Sequence, residues 1–501
     1  MKNKSIKIFS SILTSIDIWF LTSITFLFSL LRIPSLIEPD WYGDEGIYQV
    51  IGMAMRSGRV LYKEIWDNKP PMLYSLYAIV NGDLFGIKML SLIFGVAAVI
   101  SFFLLAKKLL KTRLSVYLST SVFAIVFGLP IIEGNIANAE NFMLFPTILA
   151  FYFLLLSRGN KKMIYSIISG LLLSFAFLIK IVAVFDFVSI LLIIFLSKFY
   201  DDSIFSFKSW NRKHTLKILQ FIKDETIFIA SFLLPIALAS FYFLINGAMA
   251  DFYRAAFSQN IGYVGYGNYF LFPMGLLVLK VILLLFSIFL ILNYRKIIGF
   301  NVSFILIWLS FSLFNAMFSA RPYTHYLLVA LPALALFLGI FLSDKRVLKI
   351  TLPIGVIIYF LITLNFGFYT KIIPYYNNYF NFTFGEKSTR NYESFFDRNT
   401  PRDYDLARFI KSKTLDDQDI FIWGDSGQIY ALADKLPPGR YIVAYHITFY
   451  EDAINETKNA IDLKKPRFII QTKESSELLK LLDQYSLKYK INNTKIYERK
   501  P

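Results

Sequence analysis

The chain is divided into apolar blocks of about twenty residues that are separated by polar connections. A helix needs about twenty apolar residues to cross a hydrocarbon layer of ~30 Å. Over 501 residues, 56% are hydrophobic and only 17% are charged, whereas soluble domains carry about 25% charged residues. The pattern therefore predicts a polytopic α-helical membrane protein, and it excludes a soluble enzyme, a nucleic-acid-binding module and a disordered chain.

Eleven transmembrane helices are predicted from these blocks. They cover residues 11–33, 87–106, 114–132, 141–157, 163–179, 181–197, 226–245, 271–292, 299–318, 325–342 and 350–368. The first block follows Lys2, Lys4 and Lys7, as the apolar part of a signal peptide would. It exceeds twenty residues and lacks a small-residue cleavage site, so we expect a retained first span.

Basic residues are concentrated in alternate loops, which predicts the orientation. The basic loops contain Lys107, Lys108, Lys111 and Arg113; Arg158, Lys161 and Lys162; Lys198, Lys208, Arg212, Lys213, Lys217 and Lys223; Arg295 and Lys296; Lys345, Arg346 and Lys349. The other loops, 34–86, 133–140, 246–270 and 319–324, are poor in them. Because positive charge is retained in the cytoplasm, we expect the N-terminus inside, the C-terminal tail outside and a multi-pass protein of the plasma membrane. These cytoplasmic basic residues explain the net charge of +17, so no nucleic-acid partner is needed to account for it.

The composition changes near residue 370, which divides the chain into two predicted domains. Residues 1–370 form a transmembrane module, and its first outer loop, residues 34–86, is called the first loop below. Residues 371–501 are called the C-terminal domain. Helix-like DYDLARFIKSK, SGQIYALADKL and ESSELLKLLDQY alternate there with strand-like DIFIWG, PRFIIQT and TKIYER. This alternation predicts a small soluble α/β domain outside the cell.

The first loop contains the most informative polar residues. Asp44 and Glu45 are adjacent carboxylates, and the segment after them has the apolar spacing of an amphipathic helix on a membrane surface. Arg59, Tyr62, Trp66 and Lys69 follow. An acid at one end and a cation at the other would suit a reaction on a lipid phosphate. Helix capping by the two acids remains an equal alternative at this point.

Further ionisable and polar residues are predicted at the same membrane face. They are Glu140 and Asn141 before the fourth span, Lys180 between two spans, and Arg321, Tyr323, His325 and Tyr326 before a late span. Charged groups at span ends are costly unless they are paired or wetted, so as a group they indicate a site. Singly, Lys180 could equally extend its ammonium to the surface, and Arg321 could pair with a structural carboxylate.

No cofactor or metal site is predicted. The chain has no cysteine, which excludes a disulfide, a thiol nucleophile and a thiolate-metal site. The three histidines, His214, His325 and His446, are far apart in the sequence. An all-carboxylate Mg²⁺ or Mn²⁺ site using Asp44 and Glu140 stays open as an alternative.

Several motifs resemble integral-membrane glycosyltransferases of the C superfamily, and are most similar to bacterial relatives of protein O-mannosyltransferases and to the lipid A aminoarabinose transferase. They are GDEGIYQVIGMAMRSGRVLYKEIWDNKPPMLYSL, NAENFMLFP, FLIK, RPYTHYLLVALPALAL, IFIWGDSGQIYALADKLPPGRY and KKPRFIIQT, in order along the chain. The resemblance implies a sugar donor linked to a polyprenyl phosphate. It also implies that Asp44 is the catalytic acid of the first loop, that Lys69 is its KPP lysine and that Arg321 is the arginine before the late span.

One departure from that family concerns the acceptor. Protein O-mannosyltransferases carry an extra folded module in a central outer loop, and the only long central loop here, 198–225, is basic and predicted to be cytoplasmic. The resemblance therefore supports the transfer chemistry but leaves the acceptor open: a protein, a lipid A-like lipid or a cell-wall glycan.

Together, these observations and the resemblance predict a glycosyltransferase that acts outside the cell by a single, inverting displacement. Asp44, with Glu45 beside it, acts on the acceptor hydroxyl. Lys69 and Arg321, followed by Lys180 and His325, bind the donor phosphate. Arg59, Tyr62, Trp66, Glu140, Asn141, Tyr323 and Tyr326 bind the sugar or the acceptor. The alternatives are a lipid-linked sugar flippase or another non-enzymatic carrier, and an outer-face lipid phosphatase.

Overall fold

The computed structural model describes residues 16–157, 162–201, 212–343, 348–415 and 418–501. The start of the first predicted span and parts of three predicted cytoplasmic loops, including Arg158, Lys161, Lys208, Lys345 and Arg346, lie outside these ranges. The twelve longest elements up to residue 370 are helices that coincide with the apolar blocks or the first loop. They are α1 (Ile16–Arg32), α2 (Gly43–Arg56), α4 (Leu84–Leu109), α5 (Arg113–Gly128), α6 (Ala139–Leu156), α7 (Lys162–Ile179), α8 (Val184–Lys198), α9 (Arg212–Ile245), α12 (Gly275–Ile298), α13 (Phe300–Met317), α14 (Leu331–Ser343) and α15 (Leu348–Asn365).

Short helices complete this part of the chain. They are α3 (Pro71–Ile79), α10 (Met249–Tyr253) and α11 (Gln259–Gly267), with a π-helical turn at Arg254–Ser258 and 3₁₀ turns at Ile33–Leu36, Pro130–Ile132, Ile181–Ala183 and Thr324–Val329. Local signals explain several starts: the Asp83 carboxylate accepts the N–H of Gly86 at the head of α4 over 2.6 Å, and α3 begins at Pro71, where the missing N–H costs nothing.

Each predicted span is a helix in the described residues. Within the part of the chain that the structure describes, eight helical stretches are long and apolar enough to cross a membrane. The segments Arg113–Gly128, Met163–Ile179 and Leu331–Phe341 are apolar but shorter. The polytopic helical architecture is therefore confirmed, whereas the number of crossings and the orientation stay predictions.

Helix α2 differs from its predicted position. A helix on a membrane surface would keep one face in water, but nine of its residues are buried: Glu45, Gly46, Ile47, Tyr48, Gln49, Val50, Ile51, Gly52 and Ala54. The reason is that α3 and the C-terminal domain both pack against it: a Cβ at Gly52 would lie 2.7 Å from the carbonyl carbon of Tyr77 in α3. A Cβ at Gly46 would lie only 2.5 Å from the backbone nitrogen of Gln428, so the two backbones meet as closely as glycine allows.

The C-terminal domain consists of helices around a small mixed sheet. Its elements are α16 (Ile372–Thr383), α17 (Thr389–Phe396), α18 (Thr400–Lys413), β1 (Ile420–Trp423), α19 (Gln428–Ala433), α20 (Ala444–Phe449), α21 (Ala453–Lys464), β2 (Phe468–Gln471), β3 (Tyr485–Ile491) and β4 (Thr494–Arg499). The strand order is β1-β2-β4-β3. Strand β2 pairs parallel with β1 and antiparallel with β4, and β3 pairs antiparallel with β4.

Several details of this domain differ from the sequence-based expectation. The segment ESSELLKLLDQY forms only a 3₁₀ turn at Glu477–Leu481. Helices α16, α17, α20 and α21 and strand β3 were not anticipated. Strand β3 is mostly exposed along its length, so it lacks the apolar alternation that identifies a half-buried strand. The predicted boundary at residue 370 is not decided by these elements.

Candidate functional site

Asp44 lies in the first turn of α2 and is half-buried. The hydroxyl of Tyr48, one turn later, donates to its Oδ2 over 3.3 Å. The helix is capped by Tyr42 without a side-chain hydrogen bond. Among the described residues, no hydrogen bond joins the Asp44 carboxylate to a free N–H of the helix, so capping by hydrogen bonding does not account for this acid.

Glu45 points elsewhere and is fully buried. Its Oε1 lies 2.9 Å from Nζ of Lys88 and accepts the backbone N–H of Ala137 over 2.6 Å. Lys88 also lies 3.5 Å from Oε2 of Glu38. Burial raises the pKa of Glu45, and the Lys88 charge opposes that rise. The contact therefore ties α2 to α4 and to the loop before α6, and the geometry gives Glu45 a structural role that its place beside Asp44 does not reveal.

A polar network leads from the residue before α2 to the loop before α14. The Tyr42 hydroxyl donates to Oε2 of Glu133 over 2.9 Å, and the same oxygen lies 2.9 Å from Nδ1 of His325. The hydroxyl of Thr324 donates to the other oxygen of Glu133 over 2.7 Å. Burial alone would raise the pKa of Glu133, but the hydrogen bonds from His325, Thr324 and Tyr42 hold it below its usual value.

The same network includes the predicted Glu140 and Lys180. These two side chains form an ion pair, and Nε2 of His325 lies 3.9 Å from Oε1 of Glu140. The ammonium of Lys180 lies 4.5 Å from the ring centroid of Tyr326. The structure thus brings Glu140, Lys180, His325 and Tyr326 together, and Lys180 is engaged by a carboxylate rather than extended to the surface.

Three further predicted residues flank this network. Asn141 is fully buried and donates to the backbone oxygen of Ile136, so it shapes its own loop. Tyr323 is 49% exposed, and its ring stacks on His325 with centroids 5.5 Å apart. Arg321 is half-buried in the same loop.

Lys69 is half-buried at the end of the first loop. Its Nζ donates to Oδ1 of Asn68 over 2.7 Å. Its backbone is held on both sides, since its N–H donates to the Tyr74 hydroxyl over 3.0 Å and its carbonyl accepts the Tyr62 hydroxyl over 2.7 Å. The main chain of this lysine is fixed, while its ammonium is bound only by a neutral amide among the described residues.

The C-terminal domain adds residues beside Lys69 that the sequence did not indicate. Nε2 of His446 lies 3.5 Å from Oδ1 of Asp67, whose other oxygen accepts the Tyr74 hydroxyl over 2.6 Å. Burial lowers the pKa of His446, Asp67 and Asp44 oppose that shift, and Lys69 reinforces it. The charges of Asp44, Asp67 and Lys69 therefore all act on one imidazole from the C-terminal domain.

Arg59, Tyr62 and Trp66 do not line an open surface beside Asp44. Arg59 donates to the carbonyl of Pro437 over 2.8 Å. Tyr62 and Trp66 are fully buried, and the guanidinium of Arg440 lies 5.2 Å from the ring centroid of Trp66. Arg59 and Trp66 attach the first loop to the C-terminal domain through these contacts. The Tyr62 ring instead packs on Phe243 of α9 and Phe252 of α10, with centroids 5.1 and 5.6 Å apart.

The described residues contain no group of three or more His, Asp or Glu side chains arranged to hold a metal ion. The carboxylates of Asp44 and Glu140, named above for an all-carboxylate site, each contact other protein groups, Tyr48 and Lys180.

Comparisons with known proteins show which family and which fold this chain resembles. The model of the dolichyl-phosphate-mannose-protein mannosyltransferase family matches residues 60–249. The structure of ArnT from Cupriavidus metallidurans, bound to undecaprenyl phosphate, has a TM-score of 0.57 at 10% identity, over 96% of this chain and 98% of that chain. The resemblance to the C superfamily is confirmed.

A second C-superfamily structure aligns over a smaller share of its own length. The apo oligosaccharyltransferase of Archaeoglobus fulgidus has a TM-score of 0.48 at 13% identity, over 91% of this chain and 69% of that chain. The same archaeal enzyme, AglB, in complex with an inhibitory peptide and a dolichol-phosphate, gives 0.47 at 13% identity, with 90% and 69% covered. None of the curated proteins compared with this chain matches it.

Proposed function

We propose that this protein transfers a sugar from a polyprenyl-phosphate donor to an acceptor hydroxyl, on the extracytoplasmic face of the plasma membrane. The observation that carries the proposal is the difference between Asp44 and its acidic neighbours. Glu45, Asp67, Glu133 and Glu140 each have a lysine or histidine within 4.0 Å. Among the described ion pairs none includes Asp44. Asp40 also lacks a cationic partner there, but it is only 1% exposed and binds the Gln49 amide, so the half-buried Asp44 is the carboxylate better placed to meet an acceptor.

In the proposed reaction, Asp44 takes the proton of the acceptor hydroxyl while that oxygen attacks the anomeric carbon. The new carbon–oxygen bond forms as the bond from the sugar to the phosphate oxygen breaks, and the electron pair stays on the lipid phosphate. A base must lie within hydrogen-bond reach and be ionised to do this. A single displacement of this kind inverts the configuration at the anomeric carbon, and it requires no nucleotide because the donor is already activated.

Lys69 is the leading candidate for stabilising the departing phosphate, and Arg321 is the second candidate. Fixed cations lower the barrier most when negative charge develops in a dry site. Lys180 and His325 are held by Glu140 and Glu133, so we assign them to positioning the loop of Arg321 and Tyr323. Glu45 is assigned to holding α2, Arg59 and Trp66 to holding the C-terminal domain, and Tyr62 to holding the first loop against α9 and α10.

The carrier alternative receives less support because three charged side chains within the predicted spans, Asp17, Asp186 and Lys280, have local partners. The Trp308 indole donates to Oδ1 of Asp186 over 3.0 Å, and Lys280 donates to Oδ1 of Asn268 over 2.8 Å. Asp17 pairs with Lys107 over 2.5 Å. A translocation pathway would instead present such groups to a water-filled passage.

The decisive experiment is turnover by the purified protein with defined donors. Polyprenyl-phosphate mannose, glucose and aminoarabinose would each be supplied with envelope extract as acceptor, and release of polyprenyl phosphate would be measured. We expect Asp44→Asn to lower turnover by about 10²–10⁴-fold, as loss of a catalytic base typically does. Glu474→Gln, which removes a carboxylate that is 88% exposed, is the matched control. Full turnover by Asp44→Asn would remove the proposed base.

A further inference from the structure

The C-terminal domain contains a cleft of about 460 Å³ that the proposed reaction does not use. It lies between α17, the first turn of α18, the end of β2 and the turn that joins β3 to β4. Its lining includes three arginines and four asparagines: Arg390, Arg398, Arg402, Asn391, Asn399, Asn492 and Asn493. No acidic side chain lines it, and Pro401 is its only apolar lining residue within the described chain.

The arginines keep donors available although two of them have carboxylate partners. Arg390 donates one N–H to Asp405 over 3.1 Å. Arg402 donates to Asp403 over 2.9 and 2.7 Å and to the Ser426 hydroxyl over 3.3 Å. A guanidinium carries five N–H donors in a planar fork, so Arg390 in particular retains several. The two bonds to Asp403 hold the Arg402 fork in place, which lowers the entropy lost when a ligand binds to it.

The chemistry of this lining selects a class of ligand. Guanidinium groups bind carboxylates and phosphates through two parallel hydrogen bonds, and amides and hydroxyls suit a polyhydroxylated molecule. The near absence of apolar lining excludes an acyl chain or an undecorated lipid. Resting on the function proposed above, we propose that this cleft binds an acidic sugar residue of the acceptor, and that the acceptor is therefore an anionic glycan.

A short chain of contacts joins this cleft to the catalytic helix. Arg402 binds Oδ1 of Asp403, and Oδ2 of Asp403 accepts the Gln428 side-chain N–H over 2.9 Å. The backbone of Gln428 in turn lies against Gly46, two residues from Asp44. An acceptor held in the cleft is thus connected through these contacts to α2, which carries the proposed base. A remote part of a substrate that is held in this way contributes to orientation at the reacting centre.

A second cleft, of about 540 Å³, lies between the first loop and the C-terminal domain. Its charges are mixed: Arg440 there is paired with Glu456 over 2.8 Å and with Asp251 over 3.1 Å. Two acidic side chains, Glu64 and Glu456, line this second cleft and would repel an anion. Among the described residues, no acidic side chain lines the cleft of Arg390, Arg398 and Arg402, which is therefore favoured.

The test is direct binding to the full-length protein in detergent, measured without any donor. The probes are tetragalacturonate, the neutral maltotetraose, inorganic phosphate and phosphatidylglycerol vesicles. We expect tetragalacturonate to bind at least about tenfold more tightly than maltotetraose, since a hydrogen bond to a charged group typically contributes a factor of this size. We expect Arg398→Gln and Arg390→Gln each to weaken that binding by about tenfold or more.

Arg408 provides a matched control. It pairs with the same Asp405 as Arg390 does, but it does not line the cleft. We expect Arg408→Gln to leave the binding of tetragalacturonate unchanged. Equal binding by the wild type, Arg390→Gln and Arg398→Gln overturns the proposal, as does preference for the neutral tetrasaccharide. Binding of phosphatidylglycerol vesicles alone would overturn it too, because the cleft would then face a lipid surface.

The design separates this proposal from the function on which it rests. Asp44→Asn should bind tetragalacturonate as the wild type does, because the base takes no part in holding the acidic sugar. Turnover without anion binding would refute the cleft assignment alone. Anion binding by a protein that transfers no sugar from any polyprenyl-phosphate donor would refute the proposed reaction instead.

Discussion

Nε2 of His446 lies 3.5 Å from Oδ1 of Asp67, which joins the C-terminal domain to the first loop two residues before Lys69. Asp67 is held from its other side by the Tyr74 hydroxyl. The contact means that the surroundings of Lys69 are completed by a residue almost four hundred positions further along the chain. The candidate site is therefore shared by the helical module and the C-terminal domain.

The first prediction concerns the Lys69 ammonium. Lys69→Met keeps most of the stem but loses the charge, so we expect kcat to fall by about 10²–10³-fold, as on removal of one donor to a developing oxyanion. The fall in kcat should be at least as large as the rise in KM, because the contact strengthens in the transition state. Lys69→Arg should retain partial activity.

Lys63→Met is the control for this measurement. Lys63 is in the same loop, and its ammonium donates to the carbonyl of Asn246 over 3.2 Å at an exposed position. Its loss should leave the kinetics of transfer near those of the wild type. Normal turnover by Lys69→Met would assign Lys69 to anchoring the loop beside its two prolines.

The second prediction separates the two adjacent acids. Glu45→Gln leaves Lys88 in a buried site with one carboxylate fewer, and breaking a buried pair costs about 3–5 kcal/mol of stability. We expect a clearly lower Tm in detergent, and a smaller loss in the Glu45→Gln/Lys88→Gln double variant than the two single losses together. An unchanged Tm combined with abolished turnover would instead indicate that Glu45 takes part in catalysis.

The third prediction concerns pH and a buried carboxyl at the domain interface. Asp40 is 1% exposed; its Oδ2 accepts the Gln49 amide over 2.9 Å, and its N–H donates to the Tyr404 hydroxyl over 3.0 Å. Burial raises its pKa to about 7, Gln49 opposes this, and the charge of Glu45 adds to it. Burial similarly raises the pKa of Asp403 to about 6.

These raised pKa values fix the sign of the effect. The folded protein holds a proton on Asp40 that the unfolded chain, with a pKa of about 3.9, has released. The stability from this group is therefore fully present below about pH 4 and is lost as the pH rises through about 7. Asp40→Asn should flatten the dependence of Tm on pH between 5 and 8 and raise Tm at pH 8. Glu474→Gln should change neither, and a wild-type slope in Asp40→Asn would contradict the assignment.

The fourth prediction tests the contact between α2 and α19. In Gly46→Ala the new methyl would lie 2.5 Å from the Gln428 nitrogen, so the backbones must separate, at a typical overpacking cost of about 1–3 kcal/mol. We expect faster proteolytic release of the C-terminal domain and a loss of transfer. Gly367→Ala, whose added Cβ meets nothing within 4 Å, should behave as the wild type. If Gly46→Ala transfers sugar and releases its C-terminal domain no faster than the wild type, docking of that domain does not depend on the close contact between Gly46 and Gln428.

The fifth prediction concerns orientation. A reporter fused after Pro501 should be active only outside the cytoplasm, and one inserted after Lys111 should be active only inside, because the loop between α4 and α5 is basic. If both reporters were active on the same side, the predicted number of membrane crossings between the two fusion points would be wrong. Asp44 and Arg321 would then require separate tests of their membrane face.

The helical part of the fold was predictable because the length of a membrane-crossing helix is encoded locally, by about twenty apolar residues in succession. The contacts of the site were not. Glu38, Lys88 and His446 are polar residues whose partners are distant in sequence, and nothing near them identifies those partners. Lys88 lies at the start of a predicted span, where the sequence pattern indicates only an ordinary flanking lysine. Asp44 and Glu45 are adjacent acids in the sequence. Their different surroundings follow from the direction in which each side chain leaves α2, which the sequence does not give.

The close approach of Gly46 and Gln428 also bears on the order of biosynthesis. The segment that carries Asp44 leaves the ribosome before its covering surface and the sheet behind it, in which strand β2 pairs with β4 (Thr494–Arg499). Contacts between such distant segments form late, because a long chain must close first. A nascent protein thus carries its proposed base without the surface that positions it. On the function proposed here, we expect competence for transfer only after this sheet has formed, so that chains without it do not consume lipid-linked sugars.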